Sequence, residues 1–202
     1  HGDALRLHTI DGSFALSDFD VVWNRRMLAA KVPPNVDPRD REYVAQQIRF
    51  ADAALRNLLR DAFWINPYDA ARNADQKPMQ LQLAQRSGLK IPETLVSNRP
   101  EAIRAFIDRH PSVIHKPLIG AAWEENDKTL STYTARVRAE DLPGDALLRA
   151  APGIFQAQVK KQFEVRAQFF GASCFALKID PSKIEYGELD WRLHQHGDMT
   201  DG

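Results

Sequence analysis

Four cations lie in or beside β-prone runs, Lys77, Lys116, Arg166 and Arg192, and no nucleophile of a recognised type accompanies them. A set of this kind suits phosphoryl chemistry, where catalysis is mostly positioning and neutralisation of negative charge. The chain holds no glycine-rich phosphate loop, no HExxH metal motif and no serine elbow. His194 and His196 are two apart, but two ligands without a third make no metal site. Lys77 and Lys116 occupy corresponding ends of a small α/β unit, which suits a polyanion such as a nucleotide. Most lysines are surface residues, and spacing alone favours that plainer reading for both.

The elements that must place these cations can be read along the chain. Asp75 to Gly120 reads as helix, strand, helix, strand. The first helix starts near Pro78, where proline is tolerated, and stops before Gly88 as a C-terminal cap. Glu93 to Val96 is a short β-prone run, Asn98 is placed to cap a helix opening on Pro100 and Glu101, and Ser112 to His115 is a second apolar run leading to Lys116. AAWEENDKTL, residues 121–130, has no periodicity and reads as a mobile loop near the site. Strand-like alternation resumes at Ser131 to Val137, and Leu142 to Ala151 is a short helix. Ile154 to Val159 then reads as a strand lining a slot. Glu164 to Phe170 and Ser173 to Ile179 read as a hairpin turning at Gly171-Ala172. Glu164, Arg166 and Gln168 share one face of its first strand, and alternation leaves open whether that row meets a cleft or water.

Upstream, Leu5 to Leu16 reads as a hairpin around Asp11-Gly12, and Asp20 to Arg25 as a buried strand with Trp23 near Arg25 and Arg26. Asp37-Pro38 starts the longest helix, to about Ala62, with an apolar stripe of Val44, Ile48, Ala51, Leu55, Leu58 and Leu59. Its opposite face carries Arg41, Arg49, Arg56 and Arg60 and reads as solvated.

Composition narrows the class. The 202 residues suffice for one large domain or two small ones. Lys+Arg 27 balances Asp+Glu 27, so no global field favours nucleic acid or a membrane surface. Cys174 is the single cysteine, which excludes an internal disulfide and fits a cytoplasmic protein. No apolar run approaches the roughly 20 residues that span a bilayer.

The order of VVWNRR at Val21, FWIN at Phe63, K-x-x-Q-L at Lys77, GLKIPETLVSN at Gly88, VIHKPL at Val113, IFQAQVKKQFEVRAQFFG at Ile154 and LDWR at Leu189 resembles the ATP-grasp ligases. Within them it is most similar to the peptide maturases that make graspetides, the microviridin-type macrocyclases. The resemblance implies an α/β (α+β) ATP-grasp fold with a partial N-terminal pre-ATP-grasp domain, incomplete at both ends. Residues 1–66 would be that domain and its long helix, 67–120 the small lobe, and 121–202 the linker strand and the start of the large lobe.

The resemblance also implies roles. Lys77 and Lys116 would hold ATP phosphates. Gln156, Ala157, Gln158 and Val159 would form the linker whose backbone recognises adenine; family members often have Gln-Glu where this chain has Gln156-Ala157. Arg166 would face the γ-phosphate, with Asp190 and Arg192 at the reaction centre. ATP and Mg²⁺ are implied as cofactors, but Asp198 and Asp201 do not reproduce the family's metal pattern, so the metal ligands stay unassigned. The implied reaction phosphorylates Asp or Glu side chains of a ribosomal precursor peptide, leader and core, and closes ester or amide crosslinks with Ser, Thr or Lys. The alternatives are another carboxylate–amine ligase of the glutamate-adding type, a non-catalytic leader-binding scaffold, or a nucleotide-binding regulatory module. A homodimer is left open.

Overall fold

The computed structural model describes residues 5–25, 31–120, 122–125, 128–183 and 189. The chain divides into two compact units, residues 1–75 and 76–202.

The first unit opens with the expected hairpin, β1 (Arg6–Thr9) paired antiparallel with β2 (Gly12–Ala15). Ser13 is clamped by Arg6, whose Nε donates to the hydroxyl and whose Nη2 donates to the carbonyl, both at 2.9 Å. β3 (Val21–Trp23) runs parallel to β4 (Phe63–Ile65), with α1 (Arg41–Leu58) between them in sequence. The strand at Val21 is present but is not buried. Trp23 is 70% exposed, because among the described residues this two-stranded ribbon has no second layer over Val21, Trp23 and Phe63. α1 is shorter than expected at both ends. Asp37 does not start it, because its carboxylate accepts the Arg39 backbone N–H in a turn before the helix. Val44, Ile48, Leu55 and Leu59 are half-buried as the stripe predicts, whereas Ala51 and Leu58 are exposed. Arg56 departs from the solvated face: its guanidinium lies 3.9 Å from the Tyr68 ring centroid, at the start of α2 (Tyr68–Ala74), and pairs with Asp52.

The second unit opens with α3 (Lys77–Arg86), with proline in its first turn. The Leu89 N–H bonds to Ala84 O and the Gly88 N–H to Gln85 O, while Gly88 sits at φ +78°. These bonds form a Schellman cap, and the left-handed position is why a glycine stops the helix there.

β5 (Thr94–Ser97) leads to α4 (Pro100–Arg109), then β6 (Val113–Lys116). Asn98 does not cap α4. Pro100 biases the residue before it toward extended backbone, so Arg99 becomes the N-cap, and its amide bonds to Ser97 Oγ. Asn98 instead donates to Arg149 O on α5 (Asp145–Ala150). The expected loop at 121–130 is instead a hairpin, β7 (Ala122–Glu125) with β8 (Lys128–Ser131), joined by backbone pairing that apolar patterning does not announce. Of the run 131–137 only Ala135–Val137 forms a further strand, β9. β10 (Gly153–Ala157) completes one four-stranded sheet in the order β5-β10-β6-β9. β11 (Glu164–Phe170) and β12 (Ser173–Ile179) form the hairpin the alternation predicts.

Register divides the four-stranded sheet into two faces. Phe155, Val113, Leu95 and Val137 face α4 and α5, meeting Ile103, Phe106, Ile107 and Leu148 in the unit's core. Thr94, Ile114, Lys116, Ile154 and Gln156 lie on the opposite face.

Gly153 is fixed by close approach: a Cβ there would stand 2.5 Å from Nε2 of His115, whose ring tilts against Phe155. Burial among these groups pushes the His115 imidazole below its ordinary value. With the folded pKa depressed, the unfolded chain binds its proton first. Stability should therefore be fullest above about pH 6.5 and fall as pH drops from there toward the folded value. Thermal midpoints measured from about pH 7.5 to pH 5.5 should show this slope, and His115→Gln should flatten it. An equal slope in the variant would assign it to other groups.

Candidate nucleotide-binding cleft

The face of the sheet away from α4 forms one wall of a cleft of about 670 Å³. Ile114 and Ile154 supply an apolar floor, with Lys116 and Gln156 beside them. α3 forms the second wall. Its Lys77, Gln80, Leu81 and Ala84 recur at the three-, four- and seven-residue spacing that places side chains on one helical face. The segment after β10 and the start of β11 close the mouth, with Gln158, Val159, Lys161, Glu164 and Arg166.

The structure brings six of the predicted residues into this one cleft: Lys77, Lys116, Gln156, Gln158, Val159 and Arg166. Lys77 is held at the head of α3, where its ammonium donates to the carbonyls of Pro117 at 2.7 Å and Leu118 at 2.9 Å. Those carbonyls directly follow Lys116, so two lysines far apart in sequence are tied to the same corner. Lys116 in turn donates to Gln156 Oε1 at 2.8 Å. Ala157 is not in the lining: its side chain belongs to the other face of β10, and its amide donates to Glu93 O. The Gln158 amide donates to Ser112 O, and its side-chain oxygen accepts from Ser112 Oγ and Arg136 Nε. Among the described residues the Val159 amide makes no hydrogen bond. Asp190 and Arg192, with Asp198 and Asp201, lie outside the described residues.

Glu164 and Arg166 answer the question the alternation left open, since both face the cleft. Sequence reading missed Lys161, which pairs with Glu164 and also donates to Leu189 O at 3.3 Å. The polar row on β11 was the signal for Glu164; nothing marked Lys161, which lies before the strand. Thr134 was missed as well, a buried polar residue in the cleft wall.

The cleft thus combines a flat apolar floor, an open backbone donor and four cationic side chains. Such a combination is chemically suited to a ligand with an apolar planar part and an anionic part. Among the described residues no three His, Cys, Asp or Glu side chains converge.

No protein-family model and no curated protein sequence matches the chain. Solved structures do. A RiPP-associated ATP-grasp ligase from Chryseobacterium gregarium, in complex with ADP and a leader and core peptide, superposes with a TM-score of 0.78 at 28% identity, over 93% of this chain and 56% of that one. The macrocyclase MdnC from Microcystis aeruginosa MRC, bound with the precursor peptide MdnA, gives a TM-score of 0.76 at 30% identity, over 85% of this chain and 57% of that one. The macrocyclase MdnB from the same organism gives 0.73 at 30% identity, over 89% and 60%. The fold is that of the ATP-grasp ligases. The chain spans less than two thirds of the length of these three proteins. Among the described residues no helix is long and apolar enough to cross a membrane.

Proposed function

We propose that this chain provides the nucleotide-binding part of an ATP-dependent ligase that activates Asp or Glu side chains of a ribosomal precursor peptide and joins them to Ser, Thr or Lys of the same peptide. The observation that carries this reading is the convergence of Lys77, Lys116 and Arg166 with the linker Gln156–Val159 on one apolar-floored cleft. The likeness to ligases solved with ADP and with leader, core or precursor peptides supports the substrate class.

In this reading ATP lies with its base on Ile114 and Ile154 and against the Val159 amide. Lys77 and Lys116 hold its phosphates, and Arg166 faces the phosphoryl group in transfer. Transfer of the γ-phosphoryl group to a peptide carboxylate releases ADP and leaves an acylphosphate. The hydroxyl or amine attacks its carbonyl carbon, loses its proton, and inorganic phosphate departs. Each crosslink removes the elements of one water from the peptide. Mg²⁺ enters this proposal only as the ATP counterion, and Asp190 and Arg192 keep their place in it as reaction-centre residues. The lobe boundaries expected from the sequence and a cytoplasmic location belong to the proposal as well.

The deciding measurement is the mass of a cognate precursor peptide after incubation with the full-length enzyme and Mg·ATP. Product lighter by one water per crosslink, with matching ADP release, is the expected result. Peptide binding with unchanged mass and no ADP would favour a non-catalytic scaffold, and a gain in mass would favour a ligase that adds an amino acid.

A further inference from the structure

We propose that Thr94 is a positioning residue for phosphate binding: its hydroxyl fixes the Gln156 carboxamide so that the carboxamide oxygen holds the Lys116 ammonium in the cleft. The inference rests on the nucleotide reading of the cleft given above.

Three strands supply the three groups. Thr94 on β5 stands opposite Gln156 on β10, and Lys116 on β6 stands opposite Ile154, two residues from Gln156 on the same face. Gln156 is only 5% exposed, so its oxygen and nitrogen both need partners within the protein. A carboxamide in such a place has two orientations, related by a half-turn, and its neighbours choose between them.

Thr94 and Lys116 make the choice together, since an ammonium can only donate and so takes the oxygen. The Thr94 hydroxyl donates its one proton to Pro92 O at 2.8 Å, which leaves only lone pairs for Gln156. Gln156 Nε2 therefore donates to Thr94 Oγ1, also at 2.8 Å, and Oε1 is turned to accept from Lys116 Nζ at 2.8 Å. The opposite orientation would set an NH₂ group against an ammonium and an oxygen against an oxygen. The Thr94 hydroxyl, committed to Pro92 O, thus helps hold the carboxamide in the orientation that meets the Lys116 ammonium.

Valine has the shape of threonine without the hydroxyl, so Thr94→Val removes the orienting acceptor together with the bond to Pro92 O. Loss of one such hydrogen bond is expected to weaken Mg·ATP binding about 5- to 10-fold. Adenosine, which carries no phosphate for Lys116, should change less than about twofold. Thr94→Ser keeps the hydroxyl and should restore the wild-type ratio of the two affinities. Gln156→Glu sets a carboxylate against Lys116 and removes the donor to Thr94, and should lower ATP affinity relative to adenosine further still. Isothermal titration of each protein with both ligands reads these ratios, with circular dichroism confirming the fold. Equal loss of both ligands in Thr94→Val, unchanged ATP affinity, or no rescue by serine would overturn the role of Thr94. Should Thr94→Val fail to fold, an unchanged ATP-to-adenosine ratio in Gln156→Glu would do the same. Failure of the unsubstituted protein to bind ATP is a separate result, which sinks the nucleotide reading itself.

Discussion

Lys116→Ala is expected to weaken ATP binding about 10- to 150-fold, the range for losing one hydrogen bond to a charged group. The lysine stands at the end of β6, beside the Pro117 and Leu118 carbonyls that fix Lys77 and within reach of Gln156. No neutral side chain replaces an ammonium aimed at phosphate, and the substitution also leaves the buried Gln156 oxygen without this donor. Arginine at the same position keeps the charge but not the compact shape that fits between Gln156 and the cleft, so Lys116→Arg should recover only part of the loss. Titration calorimetry with ATP measures both. Wild-type affinity in Lys116→Ala would remove this residue from the phosphate site.

The largest effect on stability is expected at Phe106. Its ring is 2% exposed, packed between Ile103 and the sheet residues Val113 and Phe155, and tilted against His110 at 4.5 Å between centroids. Truncation to alanine removes that burial and leaves a hole that rigid strands cannot collapse into, a cost of about 3–5 kcal/mol. Phe50 on α1 is 82% exposed, and Phe50→Ala should stay within about 0.5 kcal/mol. Equilibrium denaturation of the two variants should separate them clearly. Equal midpoints would mean that the α4 face is not the core of its unit.

What the sequence disclosed and what it withheld follow from how local each interaction is. α4 was legible because Pro100 and Glu101 mark a first helical turn, and the hairpin at 164–179 because apolar and polar residues alternate around a glycine turn. The hairpin at 122–131 was not, since the run AAWEENDKTL shows no periodicity in sequence. Asn98 misled for a local reason that outranked capping propensity, the restriction Pro100 places on Arg99. The cations were visible as residue types, but their convergence was not. Lys77 and Lys116 meet through two backbone carbonyls, and spacing alone gave no reason to prefer that over two surface lysines. Thr94 was silent because its role depends on a strand some sixty positions later arriving beside it in one register.

The order β5-β10-β6-β9 has a consequence for how the second unit comes into being. β5 and β6 are close in sequence but do not pair with each other, because β10 lies between them and pairs with both. As a chain leaves the ribosome, α4 can form early, yet its apolar face finds only two separated strands to rest on. The sheet closes, and Phe155 enters the core, only once residues 153–157 have emerged. Late long-range pairing of this kind is slow and leaves strand edges exposed in the interim. The same strand carries Ile154 and Gln156 of the cleft. Closing the sheet and building the floor of the cleft are thus one folding event, and a partly synthesised chain has neither.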